Sequence, residues 1–131
     1  MIQRAMIGLA AAMFAAAALP AAAQPSAFTK TTLQDQDFPP PIYHTVTVRT
    51  VVRHGGEVAP HTHPGVEMGL VVAGQALLTV KDQPPKSIAA GGSFAIPPRT
   101  VHSVKNTGPG ELTMVSTYVV DKNQPIASPA P

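Results

Sequence analysis

Glycine and proline punctuate this chain so closely that no stretch between residues 42 and 120 reads as a good helix, although 15 Pro and 10 Gly are spread over 131 residues. The short runs between the breaks are rich in Val, Thr, Leu and Tyr, which is the pattern of an all-β protein. Residues 43–53 show it best. Val46, Val48, Thr50 and Val52 share one phase and Thr45, Thr47 and Arg49 the other, as the two-residue period of a half-buried strand requires. Further strands are expected at residues 66–73, 75–81, 87–90, 93–96, 101–105 and 111–120, with turns at Gly74, Asp82-Gln83-Pro84-Pro85, Gly91-Gly92 and Asn106-Thr107-Gly108-Pro109-Gly110. About eight short strands in so small a chain imply a closed or double-sheet barrel, because closure removes exposed strand edges. In the phases chosen here, Val46, Val48, Val52, Val71, Leu77 and Val104 form its apolar wall.

The length permits one compact domain. There are no cysteines, which excludes disulfides, zinc–thiolate and iron–sulfur sites, and thiol nucleophiles. The formal charge of +2 is scattered and offers no basic run to track a phosphate backbone, so no nucleic-acid partner is expected.

Residues 1–23 read as a secretory signal peptide: Arg4 supplies the positive charge near its start, residues 5–19 are uncharged and mostly apolar, and Ala21-Ala22-Ala23 offers a cleavage site before Gln24. The apolar run is shorter than the ~20 residues of a membrane span, so the mature protein is expected to be periplasmic or secreted and free of the membrane. A lone Arg4 without a twin favours export of the unfolded chain. Residues 24–41 form a polar, extended arm ending in Pro39-Pro40-Pro41, and residues 121–131 a Pro/Ala-rich tail expected to be disordered.

Three of the five histidines and one acid stand in a metal-ligand arrangement. His61 and His63 are one residue apart, so on an extended chain both imidazoles project from one face. Pro64-Gly65 can bend the chain and bring Glu67 to the same place, and His102 could close the site from a facing strand. Three imidazoles and a carboxylate suit one divalent transition ion, namely Mn, Fe, Co, Ni, Cu or Zn, rather than Ca or Mg. Such a shell leaves room for an anionic small molecule. His44 and His54 are read as ordinary hydrogen-bonded residues, and Glu57, Asp82 and Glu111 as solvated turn acids. Tyr43 and Tyr118 are read as strand packing, with proton donation as the alternative.

The segments GGEVAPHTHPGVEMGLVVAG and GGSFAIPPRTVHSVKN resemble the two motifs of the cupin superfamily. Gly55, His61, His63, Glu67 and Gly74 stand at the spacing of the first motif, and Gly91, Pro97, His102 and Asn106 at that of the second. Arg99 occupies a position where the family has a turn glycine. The resemblance implies a small jelly-roll β-barrel over residues 42–120, with His61, His63, Glu67 and His102 as metal ligands. It further implies turn or bulge roles for Gly55, Gly74 and Gly91, turn-shaping roles for Pro97 and Asn106, and a plausible homodimer with the N-terminal arm as candidate contact. Arg99 fits a type I turn better than a left-handed one, so the loop before His102 is expected to differ in shape. Its guanidinium either faces solvent or binds a substrate carboxylate.

Two functions follow. One is a metalloenzyme (an oxygenase, decarboxylase, isomerase or hydrolytic enzyme) acting on a small carboxylate or dihydroxy compound. The other is a periplasmic protein that holds a metal or small ligand without turnover.

Overall fold

The computed structural model describes residues 25–38 and 42–130. The segment read as a signal peptide lies outside them, as do residues 39–41 of the arm. Ten strands follow in chain order: β1 (Phe28–Phe38), β2 (Tyr43–Val52), β3 (Glu57–Thr62), β4 (Gly65–Ala73), β5 (Gln75–Val80), β6 (Lys86–Ala89), β7 (Ser93–Ile96), β8 (His102–Asn106), β9 (Leu112–Asp121) and β10 (Ser128–Pro129). They build two five-stranded sheets, ordered β1-β2-β9-β4-β7 and β10-β3-β8-β5-β6, in which neighbouring strands are antiparallel. This is the jelly-roll barrel expected from the sequence, and the described residues contain no helix.

The alternation expected in β2 is present, with Val46, Val48, Thr50 and Val52 buried between the sheets. β9 repeats it with Leu112, Met114, Ser116, Tyr118 and Val120. The core has two parts. The larger joins Val52, Val71, Leu78, Ile88, Ile96, Val104, Leu112 and Met114 with neighbours, and the smaller joins Val46, Val48, Tyr118 and Val120. Each large apolar side chain fully removed from water contributes about 1.5–3 kcal/mol.

One wall assignment was out of phase. Leu77 is only half-buried, while Ala76, Leu78 and Val80 point inward. Adjacent leucines leave the phase of this strand open in the sequence. It is decided by pairing, which sets Leu78 opposite Val104 of β8 and so on the core side.

Among the described residues, the arm and the tail are both more ordered than their compositions suggested. The arm is extended as expected, and its β1 pairs with β2 along its whole length, broken by one irregularity between Thr32 and Gln34. The tail differs from the disorder expected of it: Ser128 and Pro129 pair with Thr62 and His61, and the Ala130 amide donates to the Pro60 carbonyl at 3.1 Å. Proline can stand here because an edge strand leaves half of its backbone groups without ladder partners.

Gly55, Gly74 and Gly91 all have positive φ, at 68°, 83° and 86°. At Gly74 a side chain would also collide with the Glu111 carbonyl, 2.6 Å from the position of a Cβ. Arg99 departs from expectation, since its φ is 59° and the loop keeps the left-handed turn that a glycine would make. The surroundings hold it there: the Arg99 amide donates to the His63 carbonyl at 2.8 Å, and the turn is tied by Thr100 N–H to the Pro97 carbonyl at 3.4 Å. Such a conformation costs a non-glycine residue about 1–2 kcal/mol. Asn106 shapes its turn from a buried position, donating to the carbonyls of Val52 and Gly110 and accepting from the Gly108 amide.

Candidate metal centre

Four side chains from separate parts of the chain meet inside the barrel. His61 is the penultimate residue of β3 and lies directly opposite His102 of β8 in the same sheet. Glu67 belongs to β4 of the other sheet, opposite Tyr118 of β9. His63 sits in the short connection from β3 to β4, where the chain crosses between sheets. Gly65 permits this crossing, because a Cβ there would fall 2.0 Å from the Val119 carbonyl oxygen. One ligand atom from each of His61, His63, Glu67 and His102 lies within 4.8 Å of the others, so the four are positioned to hold one metal ion.

The hydrogen bonds determine which nitrogen faces inward. Nδ1 of His61 contacts the Ala59 carbonyl at 2.8 Å, that of His63 the Ile126 carbonyl at 2.6 Å, and that of His102 the Thr100 carbonyl at 2.9 Å. A carbonyl can only accept, so each Nδ1 carries a proton, and it is Nε2 that faces the centre, where it offers a lone pair whenever the ring is neutral. There, Nε2 of His63 and of His102 stand 3.2 and 3.1 Å from Glu67 Oε2. Lone pairs facing a carboxylate at that distance repel unless a positive charge lies among them. His63 Nε2 is buried with no hydrogen-bond partner, a costly arrangement unless the atom serves as a ligand. The donors therefore fit a divalent transition ion, and backbone carbonyls hold each ring in the ligating tautomer.

Burial pushes His61 down to about 4, with His102, His63 and Lys30 adding to the effect against the opposing Ala59 carbonyl. Burial works against ionisation of Glu67, but His102, His63 and Ser116 outweigh it and hold the carboxyl well below the usual range. Burial, followed by the Glu67 charge, raises Tyr118 above an ordinary phenol.

Tyr118 packs as its strand position predicts, with its ring centroid 4.7 Å from that of His63. Its hydroxyl also donates to Glu67 Oε1 at 3.1 Å, leaving Oε2 toward the histidines. The phase of β9, shared with Met114 and Ser116, was the available signal. Two other contributors had none: the Ile126 carbonyl lies in the tail, and Lys30 in the polar arm. Lys30 reaches a small cavity of about 20 Å³ lined also by His61, Glu67, His102, Ser116 and Tyr118.

Arg99 lies elsewhere. Its exposed side chain lines a groove with Thr62, His63, Pro64 and Gln124 on another side of His63. His44 faces Asp35 and Asp37 at 3.4 and 3.5 Å, and His54 Nδ1 donates to the Gly108 carbonyl at 2.7 Å, so neither joins the centre. Glu57, Asp82 and Glu111 are exposed.

Residues 48–118 match the family model described as the cupin domain. The H2HPP isomerase of Bacillus subtilis is 31% identical over 72 residues, which are 55% of this chain and 30% of that protein, so the chain spans less than a third of this curated relative. Among solved structures, an uncharacterized protein with a double-stranded β-helix domain from Klebsiella pneumoniae superposes with a TM-score of 0.68 at 22% identity, over 83% of this chain and 89% of that one. A cupin-like protein of Thermotoga maritima gives 0.65 at 21% identity, over 79% and 78%. Recombinant oxalate oxidase in complex with glycolate gives 0.65 at 24% identity, over 81% of this chain and 56% of that chain. At these identities the likeness is one of fold.

Proposed function

Because this chain belongs to the cupin domain family, we propose that it is an exported metalloprotein that binds one divalent transition ion through His61, His63, Glu67 and His102 and acts on a small carboxylate or dihydroxy compound. One observation carries the reading: three imidazoles, each with Nδ1 committed to a backbone carbonyl, present Nε2 beside a single carboxylate. A bound ion would supply Lewis-acid chemistry and fix an anionic oxygen ligand. The chain's own part is to keep the rings neutral and oriented, to hold Glu67 ionised, and to surround the ligand with the walls of Val58, Val104 and Met114. The likeness to an isomerase, at 31% identity over 55% of this chain, supports catalysis.

A second reading, a periplasmic binder without turnover, draws on the state of Tyr118. Its hydroxyl is committed to Glu67 and raised in pKa, which makes it a poor proton carrier. A homodimer belongs to either reading. The outward stripe of Val66, Met68, Leu70 and Val72 on β4 supports it, as an exposed apolar patch of the kind that associates.

Elemental analysis of protein recovered from the periplasm tests the centre. Close to one transition ion per chain is expected, with a mature N-terminus at Gln24, and the stoichiometry should vanish in His61→Ala and His102→Ala. Full occupancy in the double variant would remove the site. Oxygen uptake and product formation over a panel of carboxylates and catechols separate the readings, since saturable binding without product identifies the binder.

A further inference from the structure

Beside the metal centre lies a cleft of about 230 Å³ whose walls are mainly apolar: Phe28 from β1, Val58, Ala59 and Pro60 from β3, and Ala127 and Pro129 from the tail. Lys30 and His61 line both this cleft and the small cavity at the centre, so the two spaces share one wall. Lys30 comes from the arm, opposite Thr50 of β2, and shares the phase of Phe28, which packs on the core. Its ammonium stands 5.7 Å from the Phe28 ring centroid, within cation–π range. Among the described residues Lys30 makes no ion pair, and the carboxylate that attracts it, Glu67, is already engaged by Tyr118, His63 and His102. Lys30 is exposed, so its ammonium is reachable from solvent, and with no ion pair of its own it can exchange water for the anionic group of a ligand seated in the cleft.

We propose that Lys30 and this cleft form a substrate subsite for a monocarboxylate bearing an apolar tail, with the carboxylate between Lys30 and the ion and the tail against Phe28, Val58, Pro60 and Pro129. The assignment rests on the metal reading given above and narrows its substrate class. The volume sets the size of the tail: a closed apolar cavity of ~150 Å³ accepts benzene, so this cleft has room for a chain of several carbons or one ring. Tail and arm, which sequence composition left without a role, both line the subsite.

The test uses the full mature chain loaded with cobalt, reading metal content by elemental analysis and ligand binding by calorimetry and the cobalt absorption bands. Hexanoate and benzoate should bind at least about tenfold tighter than acetate, and hexanol should not bind measurably. Lys30→Met should weaken hexanoate about tenfold with cobalt content unchanged, while Lys30→Arg keeps most of the affinity. Ala127→Trp, which fills the cleft, should lose hexanoate but retain acetate. Equal hexanoate affinity in the parent and in Lys30→Met, or no preference for hexanoate over acetate, would overturn the subsite while leaving the metal centre standing. A loss in Arg99→Ala in place of Lys30→Met would move the anion to the other groove and overturn it too. Failure of the parent chain to take up cobalt would defeat the metal reading and this inference together.

Discussion

At His63 the two ring nitrogens face different worlds: Nδ1 meets the Ile126 carbonyl from the tail, and Nε2 is buried against Glu67. The same division of labour at His61 and His102 makes the centre a set of preset tautomers as well as a set of residue types. Tyr118 does for Glu67 what the carbonyls do for the rings, taking one carboxylate oxygen and leaving the other inward. Tyr118→Phe keeps the ring packing and removes the hydroxyl that donates to Glu67. It should lower metal affinity about 10- to 100-fold while the barrel stays folded, as measured by competition with a chelator of known affinity. An unchanged affinity would make Tyr118 a packing residue after all. The four residues that meet at the centre were legible from residue type and spacing alone. The role of Tyr118 was not, because an aromatic at an inward strand position looks the same whether or not its hydroxyl has a partner.

The elements that matter most beyond the central strands are the two chain ends. β1 doubles the edge of the first sheet and brings Lys30 over the barrel, while β10 caps the edge of β3 and sets the Ile126 carbonyl against His63. Neither shows apolar periodicity, since an edge strand has few contacts to satisfy and its composition is correspondingly free. Deleting residues 124–131 should therefore leave the barrel folded by circular dichroism but weaken metal binding about 10- to 100-fold, because His63 loses the acceptor that sets its tautomer. Unaltered affinity in the truncated chain would show that the tail bond is incidental. The misphased β5 teaches the same lesson from the interior. Leu77 and Leu78 are equivalent by composition, and only the pairing of Leu78 with Val104 selects which one faces the core.

For the molecule as a whole, the centre is also a store of pH dependence. Burial holds His61 neutral down to about 4 in the folded metal-free protein, against ~6.5 for a free histidine. Between those values the unfolded chain binds the extra proton, so stability is fully present above about 6.5 and falls as pH drops toward 4. Glu67, held below the ordinary carboxyl range, adds its own loss below about 4.5. Urea midpoints of metal-free protein should decline steadily from pH 7 to pH 4, less steeply in His61→Gln, and a flat profile would contradict the burial of the neutral ring. By itself the sequence determined the alternation of the central strands, the turn glycines and the four residues that meet at the centre. Each of these is written in local chemistry: a two-residue alternation, a backbone that tolerates positive φ, and nitrogen and oxygen donors at fixed spacing. Only the tertiary structure decided which nitrogen of each ring faces inward, which of two leucines is buried, that Arg99 keeps a left-handed turn, and that Lys30 and the tail stand beside the centre. Those outcomes depend on partners tens of residues away, and a residue's own type carries no record of what the fold will bring against it.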